Sequence, residues 1–178
     1  MLKVFVGGLA LGLAILFCSS PARAEEPRKL AFVDTGNTGR SVIAEALANA
    51  IIQKNNEKIA VISRALDVDP FDVKPEVNAA YLLAERGIDV TAHRSVQFSA
   101  NDAKHADVIV TMTEKHRNRL VELFPEAKAK TFTLSEYATG KYAEVTDAWG
   151  KPLPVYVDLL KQLDVLVPAA LQKLAATK

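Results

Sequence analysis

The residues best suited to do chemistry stand together from Asp34 to Ser41, a stretch that reads D-T-G-N-T-G-R-S. Gly36 and Gly39 allow a tight turn, and an apolar run before them and a helix-like pattern after them predict a strand, a loop and a helix. A loop that delivers the chain to a helix N-terminus points several backbone N–H groups at one spot, where an anion binds. Arg40 could clamp two oxygens of that anion with its guanidinium group.

Asp34 is unexpected in this setting, because its carboxylate opens a loop that otherwise attracts negative charge. The loop also departs from two other phosphate-binding motifs. A Walker loop requires glycine where Asp34 stands and lysine where Arg40 stands, and the dinucleotide fingerprint requires three glycines at a spacing that is not present.

Strand-like and helix-like segments alternate along the chain, which predicts an α/β domain. We expect a three-layer sandwich whose sheet has about four parallel strands, with helices on both faces. The predicted strands are Leu30–Val33, Ala60–Ser63, Val108–Thr111 and Lys130–Leu134.

Apolar residues at helical spacing predict the helices between these strands. After the loop, Ile43, Leu47 and Ile51 recur on one face, and a later segment bears Leu120 and Phe124 and ends at Pro125.

Pro75 marks the start of another helix, and Gly87 marks its end. We expect Val77, Tyr81 and Ala84 to form its apolar face.

The last helix should begin near Pro154 and be kinked or broken at Pro168.

Residues 1–24 read as a secretory signal peptide: Lys3, an apolar run, and the small-residue ending Ala22-Arg23-Ala24. We expect a single domain over residues 25–178, exported to the periplasm or secreted, with no membrane segment after cleavage. Cys18, the only cysteine, would leave with the signal, so the mature chain would have no thiol. Its near-neutral charge gives no reason to expect nucleic-acid binding.

Four further segments, taken with the loop, resemble the low-molecular-weight protein tyrosine phosphatase family, which includes one class of arsenate reductases. The segments are 87–89 (Gly-Ile-Asp), 92–95 (Ala-His-Arg-Ser), 106–113 (Ala-Asp-Val-Ile-Val-Thr-Met-Thr) and 145–150 (Val-Thr-Asp-Ala-Trp-Gly). The resemblance covers nearly all of the mature chain. In that family the loop reads Cys-x5-Arg-Ser, so Asp34 stands where the nucleophilic cysteine would be.

The resemblance implies a role for each matching residue. Arg40 and the N–H groups of the loop (Thr35, Gly36, Asn37, Thr38, Gly39 and Arg40) would bind phosphoryl oxygens. Asn37, Ser41, Ser63 and His93 would brace the loop. Asp147 would protonate the leaving oxygen as general acid, and Trp149 would line the pocket rim. Ala148 stands where the family usually has proline, and the thiol chemistry of the arsenate reductases is excluded.

Three interpretations of Asp34 remain open. Its carboxylate could pair with Arg40 or with the loop N–H groups, which would leave a noncatalytic pseudophosphatase that binds an oxyanion, a phosphorylated ligand or a protein partner. It could attack phosphorus and form an acyl phosphate, which would make the protein a phosphohydrolase. It could instead share a divalent cation with Asp147.

The leading interpretation needs no cofactor and no metal, and a pure protein-interaction module is a further alternative. His105 and His116 lie in polar, helix-like stretches, and we expect both side chains to be solvated.

Overall fold

The computed structural model describes residues 26–177, which form a four-stranded parallel sheet in the order β2-β1-β3-β4. Its strands are β1 Arg28–Asp34, β2 Ile59–Ala65, β3 Val108–Thr111 and β4 Thr131–Thr133. The helices are α1 Arg40–Asn55, α2 Val77–Ala84, α3 Ala100–His105, α4 Glu114–Leu123, α5 Leu134–Thr139 and α6 Leu153–Ala176, with a 3-10 turn at Pro125–Lys130. The predicted four-stranded sheet is confirmed.

The central strand β1 is buried on both faces, so its side chains divide between two cores. Leu30 and Phe32 point to the core that also contains α1, α2, α5 and α6. Ala31 and Val33 point to a smaller core formed with α3, α4 and the 3-10 turn. Helices therefore cover both faces of the sheet, which confirms the three-layer α/β fold class.

Three of the shorter helices, α3, α4 and α5, begin at side-chain caps that satisfy one of their first N–H groups. Ser99 and Asp102 form a reciprocal capping box at α3. Thr113 and Thr133 cap α4 and α5 through their side-chain oxygens. α3 and α5 are only six residues each, too short for the apolar periodicity to have predicted them.

The predicted apolar face of α2 is wrong. Val77, Tyr81 and Ala84 are all exposed, and the buried residues are instead Ala79 and Leu83. Ala79 and Leu83 are about one turn apart on the side of α2 that faces the core, and Val77 and Tyr81 are on the opposite side.

The last helix agrees with prediction in its start and is unbroken at Pro168. The ring of Pro168 is on the exposed side of α6, where the missing N–H group does not leave a buried carbonyl without a donor.

The two ends of the described chain meet at one edge of the domain. Arg28, the first residue of β1, donates a hydrogen bond through Nη1 to the carbonyl oxygen of Thr177, just after α6. Its Nε atom is 3.5 Å from a carboxylate oxygen of Asp107. Because the strands are parallel, this edge is opposite the one at which β1 delivers the chain to Asp34.

The predicted signal peptide, residues 1–24, and Cys18 within it lie outside the described residues. Within residues 26–177, no helix combines the length and the apolar character needed to cross a bilayer.

Candidate oxyanion-binding site

The loop from Asp34 to Gly39 lies at the carboxyl edge of the sheet and leads directly into α1, which begins at Arg40. β1 and the first turns of α1 are mostly buried, so the loop between them is held at both ends. An α/β sheet binds ligands at this edge, and a helix N-terminus favours an anion there.

The carboxylate of Asp34 is buried inside the loop, with 3% of the residue exposed. Its Oδ1 atom accepts the N–H of Asn37 at 2.7 Å, and its Oδ2 atom accepts the N–H of Ser41 at 2.9 Å. Among the described residues, Asp34 forms no ion pair with Arg40. The sequence left two possible partners open for Asp34, namely Arg40 and the loop N–H groups. In the structure its carboxylate pairs with the loop N–H groups.

Asn37 organises the loop from its centre, where its φ of 56° places it in the left-handed region. Its amide nitrogen donates to the hydroxyl oxygens of Ser41 at 3.0 Å and Ser63 at 2.8 Å. Its amide oxygen accepts the N–H of Val96 at 3.1 Å. The residue is fully buried, so these bonds satisfy groups that water cannot reach.

The backbone carbonyl of Asn37 is held from the other side. Nε2 of His93 lies 3.0 Å from this oxygen, and the hydroxyl of Ser95 donates to it at 2.9 Å. Ser63 in turn donates to a carboxylate oxygen of Glu45 at 2.5 Å. The structure thus brings together the predicted bracing residues and adds Ser95 and Glu45, which the sequence analysis did not assign.

Several loop N–H groups are left without an acceptor. Among the described residues, no hydrogen bond is donated by the backbone nitrogens of Thr35, Gly36, Thr38, Gly39 and Arg40. Unpaired N–H groups at a helix N-terminus are the arrangement that binds an oxyanion.

Arg40 reaches across the site to residues 145–150, which we call the late loop. Its Nη2 atom lies 3.4 Å from Oδ2 of Asp147, and the Arg40 side chain is 11% exposed. The late loop is fixed to the sheet by the N–H of Val145, which donates to the carbonyl of Met112 at 3.0 Å. Ala148 is buried, so the loop packs on the core without the proline that the family usually has there.

The expectation that His116 is solvated is wrong, because this residue of α4 is 7% exposed and lies beneath the loop. Its Nε2 atom is 2.9 Å from the hydroxyl oxygen of Thr35, and Nδ1 has no partner among the described residues. Burial lowers the pKa of His116, with a further decrease from Arg40 and an opposing increase from Asp34 and Asp147. His105 is exposed, as expected.

A cavity of about 390 Å³ opens beside the loop. Its floor includes Asp34 and Arg40, and Trp149, which is 65% exposed, stands at its edge. The cavity wall also contains acidic residues that the sequence analysis missed, namely Asp67, Asp69, Asp72 and Glu76. Within residues 26–177, no group of three or more His, Cys, Asp or Glu side chains is arranged to hold a metal ion.

A profile of the low molecular weight phosphotyrosine protein phosphatases matches residues 29–178. A protein-arginine-phosphatase of Geobacillus stearothermophilus is 35% identical over 149 residues, covering 83% of this chain and 97% of that protein. A low molecular weight protein-tyrosine-phosphatase, PtpB of Staphylococcus haemolyticus, is 31% identical and covers 78% of this chain and 94% of that protein.

Among solved structures, the YwlE arginine phosphatase has been determined as a cysteine-to-serine mutant with a phosphorylated active-site serine. It superposes with a TM-score of 0.80 at 29% identity, covering 84% of this chain and 97% of that chain.

Proposed function

Because the chain belongs to the low-molecular-weight phosphotyrosine protein phosphatase family, we propose that it is an exported, noncatalytic member that binds a phosphorylated ligand. In this proposal Asp34 replaces the nucleophilic cysteine of the family. The only cysteine of the sequence is Cys18, in the segment that export would remove.

The observation that carries the proposal is the bonding of Asp34. Both of its oxygens accept N–H groups from the loop, at 2.7 Å and 2.9 Å. A carboxylate is a far weaker nucleophile than a thiolate, and bonds to its oxygens weaken it further. Its negative charge also faces an incoming phosphoryl group, so displacement at phosphorus is disfavoured.

Binding is supported by the groups that Asp34 leaves free. The remaining loop N–H groups and the guanidinium of Arg40 supply donors for phosphoryl oxygens, and Asp147 would give up its contact with Arg40 when a ligand enters. The related enzymes are named as arginine and tyrosine phosphatases, which makes phosphoarginine and phosphotyrosine the first ligands to test.

The test combines turnover with binding. The mature chain should not hydrolyse p-nitrophenyl phosphate, with or without Mg²⁺ or Mn²⁺, whereas the Asp34→Cys variant should gain hydrolysis. Calorimetry should detect binding of inorganic phosphate to the wild type and its loss in Arg40→Ala. Turnover by the wild type that both Asp34→Ala and Arg40→Ala abolish would disprove the noncatalytic assignment.

If a partner protein binds the wild type and Arg40→Ala equally well, the protein is an interaction module and the loop is not its binding site.

A second candidate is a phosphohydrolase in which Asp34 is the nucleophile. It is favoured by the YwlE mutant, where an active-site serine, also an oxygen nucleophile, carries a phosphoryl group. An Asp34 oxygen would bond to phosphorus as the bond to the leaving oxygen breaks, and Asp147 would protonate that oxygen. Water would then cleave the acyl phosphate. Mass spectrometry of acid-quenched protein, with and without hydroxylamine, would detect this intermediate on Asp34.

Export is supported by the signal-like residues 1–24. The full chain expressed with a secretion system should appear outside the cytoplasm with Glu25 as its first residue, as read by N-terminal sequencing. Retention of the intact N-terminus in the cytoplasm would remove export from the proposal.

A further inference from the structure

The cavity beside the loop is strongly acidic for a site that binds an anion. Arg40 is the only basic side chain of its lining, whereas six of the lining residues are acidic. These are Asp34, Asp67, Asp69, Asp72, Glu76 and Asp147. A ligand that carried only a phosphoryl group would be repelled by most of this lining.

Four of these acidic residues form one structure, which we call the acidic wall: Asp67, Asp69, Asp72 and Glu76. The backbone of the wall is hydrogen-bonded along the loop. The N–H of Asp67 donates to the carbonyl of Thr35 at 2.9 Å, and the N–H of Glu76 donates to the carbonyl of Thr38 at 2.9 Å. The acidic wall and the oxyanion loop are therefore fixed next to each other.

Glu76 presents an unused acceptor at the inner end of the wall. Its Oε2 atom accepts the hydroxyl of Tyr156, which is 1% exposed. Its Oε1 atom is buried and has no hydrogen-bond partner among the described residues. This atom lies 3.8 Å from the point where a Cβ on Gly39 would stand, so it is beside the loop.

Tyr156 cannot relieve this acceptor, because it has a single proton and donates it to Oε2. Burial, followed by the hydrogen bond to Glu76, raises the pKa of Tyr156. The phenol thus stays protonated and holds Glu76 in place. A buried acceptor without a donor is costly, so a ligand that supplies an N–H group at Oε1 gains from it.

The outer end of the wall is open to a polypeptide. Asp67, Asp69 and Asp72 are exposed, and Phe71, between the last two, is 97% exposed. A turn in which the N–H of Phe71 donates to Asp69 at 2.9 Å holds it there. Phe71 is thus exposed between two aspartates of the wall, and Trp149 stands at the cavity edge; such rings attract cations and their aliphatic stems.

We propose that the acidic wall binds a lysine or arginine side chain that neighbours the phosphorylated residue in the same polypeptide. The ligand is then a phosphorylated protein segment with basic flanks, and the site is bipolar: loop and Arg40 for the phosphoryl group, Glu76 and the aspartates for the cation. This inference rests on the proposed function, since the phosphoryl group must bind in the loop.

The experiment compares peptides that differ only in their flanks. Each pair has the same central phosphorylated residue, phosphoarginine in one pair and phosphotyrosine in another, flanked by lysines or by alanines. We expect the lysine-flanked peptide to bind the wild type at least about fivefold more tightly at low salt, and the difference to shrink at high salt.

Variants assign the effect to the wall. Glu76→Gln and the double change Asp69→Asn with Asp72→Asn should each reduce the lysine advantage to about twofold or less. Glu122→Gln makes the same chemical change on α4, on a side chain outside the cavity, and should leave the advantage intact. Circular dichroism and binding of inorganic phosphate show whether each variant is folded and its loop functional.

The outcomes separate the two proposals. If a phosphorylated pair binds without preferring lysine flanks, the acidic wall has no such role and the proposed function stands. If no phosphorylated peptide and no inorganic phosphate bind, the proposed function fails and the inference with it. If the unphosphorylated lysine peptide binds as tightly as the phosphorylated one, only the cationic half of the site is used and phosphoryl binding is wrong.

Discussion

Both carboxylate oxygens of Asp34 accept backbone N–H groups at its own loop. Five other loop N–H groups have no acceptor among the described residues. One short segment thus holds an acidic side chain and still offers donors to a ligand. The arrangement depends on Asn37, whose left-handed backbone and buried amide keep the loop folded around that carboxylate.

We expect Asn37→Ala to lower the free energy of unfolding by about 3 kcal/mol, because it leaves buried polar partners unsatisfied and puts alanine in the left-handed region. Asn56→Ala is the control, since Asn56 has a φ of 53° but is exposed. It should cost only about 1 kcal/mol. Urea denaturation measures both, and equal losses would show that the buried network contributes nothing.

The stability of the protein should fall in acid partly through His116. Its folded-state pKa is below the ordinary 6.5, so the unfolded chain takes up a proton first as the pH falls. Stability is complete above the unfolded-state pKa and is lost as the pH falls through it towards the lower folded value. The loss between about pH 7.5 and pH 5.5, followed by urea midpoints, should be smaller in His116→Gln than in the wild type.

His105→Gln is the matched control for this change, because His105 is exposed. It should keep the pH dependence of the wild type. The same reduction in both variants would show that the effect does not come from the buried site.

The bracing residues Asn37, Ser41, Ser63 and His93 could be predicted because the loop motif and its resemblance to a family identify them together. Glu76 and His116 could not. Each of them contacts a residue that is far away in the chain: Glu76 pairs with Tyr156, 80 positions later, and His116 with Thr35, 81 positions earlier. Such a contact leaves no pattern in the local sequence.

At the scale of helices and strands, the strongly periodic segments were predictable. β3 was predicted with the bounds it has, and β1 and β2 differ by one or two residues at their ends. The strand order β2-β1-β3-β4 was not predicted, because nothing in a strand's own sequence names its neighbour. The apolar face of α2 was mistaken because apolar side chains occur on both sides of this short helix, so that exposed Val77 is no less apolar than buried Ala79.

The corrected orientation of α2 can be tested by two truncations. Leu83→Ala should lower the free energy of unfolding by about 2 to 5 kcal/mol, since it opens a cavity at a fully buried position. Val77→Ala, at a residue that is 83% exposed, should change it by less than about 0.5 kcal/mol. Chemical denaturation distinguishes them, and a larger loss at Val77 would restore the original prediction.

At the scale of the whole molecule, the two cores share one sheet. Alternate residues of β1 and β3 enter the core on each side, so neither helical layer keeps its partner if the sheet opens. The sequence predicted a single domain, and the shared strands give the physical reason to expect cooperative unfolding.

Truncation on either face should therefore weaken the same transition. Leu120→Ala in the smaller core and Leu163→Ala in the larger one should each move a single cooperative unfolding curve to lower urea. Each should lower the free energy of unfolding by about 2 to 5 kcal/mol. Far-ultraviolet and near-ultraviolet circular dichroism should give coincident curves. A second transition in either variant would mean that the layers unfold separately.

The hydrogen bond between Arg28 and Thr177 places the two ends of the described chain on the same side of the domain. Both ends of the described chain emerge from the edge of the sheet opposite the cavity. A linker, a bead or a fused reporter joined at either end would therefore hold the domain with its opening facing outward. Immobilised protein should capture ligands as well as free protein does, whichever end carries the tether.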